Sequence, residues 1–163
     1  MTGSRVLVGI SELEAASAPG TLGALGLGSC VAVILHDAQA RIGGLAHVLL
    51  PSPSVGRKNH DAPGRYAPTA VDALLRKMRA LGASPARVTA RLVGGASMFT
   101  GLQPPGTIQM GERNVHAARE ALHRHGIRLT GEVVGGDYGR SVELDLDSGR
   151  VRVTSYQHGT TEL

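Results

Sequence analysis

Cys30 is the chain's only cysteine, and it sits where a nucleophile is well held. A Gly-Leu-Gly-Ser turn, Gly26 to Ser29, delivers it to the head of an apolar, β-branched run from Cys30 to Leu35. The thiol therefore lies where a tight loop enters a strand. After His36 and Asp37 the chain turns through Ala38 and Gln39 and returns as Arg41-Ile42-Gly43-Gly44-Leu45-Ala46-His47-Val48, which reads as a hairpin. If that turn closes symmetrically, His36 faces Arg41 and, further along the ladder, Cys30 faces His47. Directly opposed residues have Cβ atoms about 4.5–5.5 Å apart, close enough for a thiol and an imidazole to meet. A thiolate with an imidazole beside it is a nucleophile with its own proton carrier. The imidazolium should also hold the thiol pKa below the roughly 8.5 of a free cysteine.

Either residue alone carries little weight, since a lone cysteine is most often a small buried hydrophobe and a lone strand histidine is usually structural. Their expected opposition, with Gly23, Gly26 and Gly28 crowding the approach to the thiol, is what favours catalysis. The register is the vulnerable step. Two- and four-residue symmetric loops preserve the pairing, whereas an odd loop or a bulge breaks it. A tetrahedral oxyanion would need fixed donors, and the candidates are the Cys30 backbone N–H and one more from Gly28 or Ser29.

The elements that must position this pair follow from periodicity. Arg5 to Ile10 reads as a first strand, and Ser11 to Gly20 as a mobile connection ending in a Pro19-Gly20 turn. Residues 51–66 form a long polar loop directly after the His47 strand, where a substrate lid and a plain surface loop are both open readings. A helix is predicted over Pro68 to Leu81, with Val71, Leu74, Leu75, Met78 and Leu81 on one face, Pro at its start and Gly82 past its end. Val88 to Val93 is a strand ending in Gly94-Gly95-Ala96-Ser97. A second helix spans Arg113 to His125 with Val115, Ala118 and Leu122 inward. Leu129 to Val134 is another strand, and Ser141 to Leu146 with Arg150 to Ser155 form a closing hairpin. Two helices among seven or so strands give an α/β (α+β) layered sandwich with mixed, largely antiparallel sheets. Residues 1–163 are expected to form one domain.

Composition excludes several classes. The chain has four aromatic residues, one Phe and three Tyr, so its core must be built from aliphatics. Its net charge of +4 is spread over separate helix faces with no interleaved aromatics, which argues against nucleic acid. The glycines at 23, 26 and 28 lead into a strand rather than a helix, and the Gly94-Gly95 turn lacks the Lys-Ser/Thr of a phosphate loop, so no nucleotide cofactor is expected. His116, His123 and His125 are read as surface residues and no metal site is expected. Met1 to Ser4 opens no signal peptide, no apolar run approaches a membrane span, and the expectation is a cytoplasmic protein without membrane insertion.

The run Leu25 to Val33, followed by Gly44-Leu45-Ala46-His47-Val48-Leu49-Leu50-Pro51, resembles the signature of the CheD family of chemoreceptor glutamine deamidases. Gly94 to Phe99, Gly111 to Val115, and Gly135-Gly136-Asp137 with Gly139 to Val142 continue the resemblance in the family's order. It implies a layered sandwich similar to the catalytic domains of glutamine-deamidating toxins. It also implies Cys30 and His47 as catalytic residues, receptor glutamines as substrate and, in species that have both, the CheC phosphatase as partner. The family commonly carries a threonine six residues before the cysteine; Ala24 stands there, and the nearest upstream hydroxyl is Thr21. Two other readings stay open beside the deamidase: a regulatory binding module with weak or no activity, and a different cysteine-dependent amidase or transglutaminase-like enzyme.

Overall fold

A computed structural model describes residues 3–53, 62–97 and 109–163. The lid expected within 51–66 therefore falls largely outside the described residues, as do Met98 and Phe99. Ten strands and two α-helices are present among those described: β1 (Ser4–Leu7), β2 (Leu13–Ser17), β3 (Gly20–Leu27), β4 (Val31–Asp37), β5 (Ile42–Val48), α1 (Ala67–Leu81), β6 (Thr89–Gly94), α2 (Met110–Arg124), β7 (Arg128–Val134), β8 (Arg140–Asp145), β9 (Val151–Ser155) and β10 (Gly159–Glu162). They form two five-stranded sheets, ordered β1-β3-β8-β9-β10 and β2-β5-β4-β6-β7. Only the β1–β3 and β6–β7 pairs are parallel, as a mixed, largely antiparallel sandwich requires.

Three layers explain the burial pattern. One face of the second sheet packs on α1 and α2 through Val31, Val33, Leu35, Ala46, Val48 and Leu92. Its other face packs on the first sheet through Ala32, Ile34, Leu45 and Val93, which meet Leu22, Ala24, Leu27, Val142, Leu144 and Val151. Every residue of β4 and β5 is consequently buried, and apolar residues fill both faces of each strand, with His36, Asp37 and His47 as the polar exceptions. Gly43 and Gly44 let both layers approach: a Cβ at Gly43 would lie 2.7 Å from Leu144, and one at Gly44 would lie 2.9 Å from Leu74. Helix α1 buries Ala70, Val71, Leu74 and Met78 and ends at Gly82, whose φ of 114° supplies the left-handed cap.

Three expectations are corrected. Ser11 to Gly20 is not simply a connection, because Leu13–Ser17 pairs antiparallel with β5. Gly23 lies inside β3, and the irregularity sits later, in a bulge between Ala24 and Leu27. The third correction is the hairpin register. Asp37 pairs with Ile42, so the turn is 38–41 and His47 faces Ala32 rather than Cys30. The cause is local: Asp37 Oδ1 accepts from the N–H groups of Gln39 at 3.1 Å and Ala40 at 3.2 Å, and Arg41 takes a φ of 53°. That side-chain-capped turn is centred one residue later than a plain one.

Asp37 does more than shape the turn. It is fully buried, accepts from Ser84 N–H at 2.8 Å, and pairs with Arg87 Nη2 at 2.9 Å. Burial alone would raise its pKa, but the Arg87 guanidinium and the Ser84 and Ala40 N–H groups outweigh it and hold the carboxyl at about 2. A folded-state pKa below the ordinary 3.8 means stability that is present above that value and is lost as pH falls from about 4 towards 2. Linkage puts this at about 2 kcal/mol. Urea unfolding at pH 7 and pH 3 should show about half of that loss, roughly 1 kcal/mol, in the wild type and a smaller one in Asp37→Asn; equal losses would contradict it.

Candidate active site

Cys30 stands one residue ahead of β4, and its side chain belongs with Ala32 and Ile34 to the core between the sheets. His47 is on β5, opposite Ala32. The corrected register moves the partner of Cys30 by two residues, and a shift of two keeps every side chain on its original face. Cys30 and His47 are therefore diagonal neighbours on one face. Such positions are about 7–8 Å apart, a span that a long or aromatic side chain bridges.

The imidazole is held in one tautomer. His47 Nδ1 lies 3.0 Å from the Val8 carbonyl oxygen, which can only accept, so Nδ1 carries the proton. In the neutral ring Nε2 then holds the free lone pair. That atom is buried and has no hydrogen-bond partner among the described residues. A buried nitrogen left unsatisfied is costly, and such groups are a mark of function or strain. The backbone of His47 is fixed as well, since Ser11 N–H donates to its carbonyl at 2.9 Å and its own N–H donates to Glu12 at 3.0 Å.

The loop before Cys30 is pinned by its carbonyls. Ala96 N–H donates to Gly28 O at 2.9 Å and Gly95 N–H donates to Cys30 O at 2.8 Å. Between them, Ser29 O accepts from Asn114 Nδ2 at 2.9 Å, and the same nitrogen reaches Leu49 O at 3.0 Å. Asn114 thus ties the cysteine loop to the chain just past His47. Sequence reasoning missed it, although it was detectable: Asn114 precedes Ala118 and Leu122 at four-residue spacing, a fully buried polar residue on an otherwise apolar helix face. Gly94 and Gly95 thus pack against the Cys30 peptide.

Burial pushes the Cys30 thiol pKa up, and its own backbone N–H, turned towards the sulfur, only partly opposes this. The expected lowering by an imidazolium is thereby corrected: the thiol is 7% exposed, and desolvation of a thiolate there is the larger effect. Alkylation of Cys30 at neutral pH should be slower than that of an exposed cysteine and should rise as pH climbs past the ordinary thiol range. Fast alkylation at neutral pH would show a preformed thiolate instead.

Thr21 and Ala24 are on opposite faces of β3. Leu22 and Ala24 point into the core shared with Cys30, so Thr21 is on the outward face, away from it. The methyl group of Ala24 is wholly buried. His116 pairs with Glu120 at 3.1 Å on the exposed side of α2. A surface groove of about 590 Å³ lined by Pro51, Pro68, Arg113 and His116 lies on the helical layer and touches neither Cys30 nor His47. Among the described residues, no helix is long and apolar enough to cross a membrane.

The family described as CheD chemotactic sensory transduction matches residues 49–155. Relatives match nearly the whole chain. The probable chemoreceptor glutamine deamidase CheD 2 of Geobacter metallireducens is 44% identical, over 97% of this chain and 98% of its own. The probable chemoreceptor glutamine deamidase CheD of Thermococcus kodakarensis is 41% identical, over 94% of each. The chemoreceptor glutamine deamidase CheD of Halalkalibacterium halodurans is 35% identical, over 97% and 98%. A crystal structure of a Neisseria meningitidis protein aligns with a TM-score of 0.46 at 12% identity, over 82% of this chain and 62% of that one.

Proposed function

The chain belongs to the CheD family, and from that premise we propose that it hydrolyses glutamine side chains of chemoreceptors to glutamate, with Cys30 as nucleophile and His47 as proton carrier. The observation that carries this is the state of His47: Nδ1 is tied to a backbone carbonyl, and Nε2 is buried, unpartnered among the described residues and on the face that Cys30 shares.

Chemistry follows from those atoms. Cys30 Sγ attacks the glutamine side-chain carbonyl carbon as its proton passes to His47 Nε2. The carbonyl oxygen becomes an oxyanion, for which the Cys30 N–H is one donor and the Gly28–Ser29 turn is the candidate source of a second. The C–N bond breaks, the nitrogen takes the proton from His47, and ammonia leaves a thioester. Water then adds as Nε2 accepts its proton; the C–S bond breaks, the sulfur is reprotonated, and the product is glutamate. Burial of the thiol does not block this route, because the proton leaves the sulfur as the carbonyl is attacked.

The substrate would be the cytoplasmic signalling part of a receptor, with the CheC phosphatase as a further partner and the cytoplasm as location. A second reading, a binding module for receptors or CheC with little activity, is favoured by Ala24 at the family's threonine position. Mass spectrometry of receptor cytoplasmic fragments incubated with the protein separates the two. Glutamine-to-glutamate conversion that disappears in His47→Gln supports the enzyme. Binding of fragments with no conversion by the wild type would leave the binding module.

A further inference from the structure

The Val8 carbonyl that holds His47 belongs to a peptide unit whose other end is also engaged. Gly9 N–H, on the same Val8–Gly9 peptide, donates to Glu12 Oε1 at 2.7 Å. Reading outward from the ring, Nδ1–H donates to the Val8 oxygen at 3.0 Å and the amide across that peptide donates to a carboxylate. We propose that Glu12 is a positioning residue for His47, acting through the Val8–Gly9 peptide as the acidic member of a three-part relay. This rests on the reading of His47 as the proton carrier.

Geometry supports a purpose beyond closing a turn. A trans peptide points its N–H and C=O in opposite directions, so a carboxylate on one side and an imidazole on the other sit at the two ends of one dipole. Hydrogen bonds in such a chain polarise one another: the carboxylate draws the amide proton, the carbonyl oxygen gains electron density, and a protonated imidazole is favoured. The same contact fixes the plane of the peptide, which glycine at position 9 would otherwise leave free to rotate. A Cβ at Gly9 would lie 2.9 Å from Glu12 Oε1, so that side chain occupies the space beside Gly9.

The turn is closed around this arrangement. Glu12 N–H donates to Gly9 O at 2.9 Å, Ser11 takes a φ of 69°, and Glu12 O accepts from the His47 N–H at 3.0 Å. The residue that supplies the carboxylate is thus hydrogen-bonded through its backbone to the histidine it serves. The titratable group that the described hydrogen bonds link to the imidazole is Glu12, through the peptide; β4 contributes Ala32 opposite the ring, and Cys30 shares its face of the sheet. The carboxylate is exposed, so solvent screens part of its charge and the effect is smaller than for a buried acid.

Full-length Glu12→Ala and Glu12→Gln test the relay by two readouts: the pH midpoints of the His47 ring ¹⁵N shifts, and kcat with KM on a receptor fragment. For Glu12→Ala the expected results are a kcat lower by about fivefold with KM little changed, and lower His47 midpoints. Glu12→Gln keeps an acceptor for Gly9 N–H, so it should keep the Nδ1–H tautomer and part of kcat while the midpoints still move. Unchanged midpoints in Glu12→Ala, whether or not kcat or thermal stability falls, overturn the proposal and leave Glu12 a turn residue. If the wild type converts no receptor glutamine, the ¹⁵N midpoints still decide on the relay, because they need no substrate.

Discussion

Cys30→Ser is expected to lower glutamine-to-glutamate conversion by about a thousandfold or more, because a serine hydroxyl is far less ionised and less nucleophilic than the thiol it replaces. Burial makes the contrast sharper. A site that already disfavours a thiolate disfavours an alkoxide far more, and one imidazole cannot make up the difference. Affinity for a receptor fragment should stay within a few-fold, since one sulfur-to-oxygen change at a 7% exposed position removes little interface. Mass spectrometry and a binding titration on the same fragment check both halves. Conversion that persists in Cys30→Ser would remove the cysteine from the mechanism.

Gly94→Ala is expected to be the most disruptive single-methyl change near the site. Gly94 has a φ of 113°, and a Cβ there would lie 2.3 Å from the Cys30 carbonyl oxygen. The backbone must shift, and the contact that gives way is the one between the end of β6 and the nucleophile's own peptide. Strain of that conformation together with the clash should cost about 3 kcal/mol or more. Thermal unfolding should therefore occur at markedly lower temperature, and kcat should fall along with it. An unchanged melting temperature would mean that the Cys30 peptide is not anchored there.

Both helices were legible because each shows a strong apolar stripe and a glycine just past its end: Val71, Leu74 and Met78 before Gly82, and Val115, Ala118 and Leu122 before Gly126. That the fold is a layered sandwich was legible in outline, from two amphipathic helices among several strands. Strand β2 was not, since Glu14, Ala15, Ala16 and Ser17 carry no β-branched or aromatic residue and pair only because β5 offers an edge. The Cys30–His47 face was right and the partner wrong, for one reason: an aspartate side chain, rather than backbone symmetry, decides where that hairpin turns. Sequence reasoning named no group that orients His47 because that group is a main-chain oxygen, which has no side-chain identity to read. The donors to the cysteine loop were hidden in the same way, apart from Asn114.

That main-chain oxygen bears on how the site can drift over generations. A triad completed by a side chain loses its third member to a single codon change, and activity falls with it. An acceptor supplied by the Val8 carbonyl survives any replacement at position 8 that leaves the chain path intact. Selection then acts on the path, through the hydrogen bond from Val8 N–H to Gly23 O at 2.7 Å and the tight turn that follows, rather than on one hydroxyl. The histidine stays aimed for as long as residues 8 to 12 keep that path.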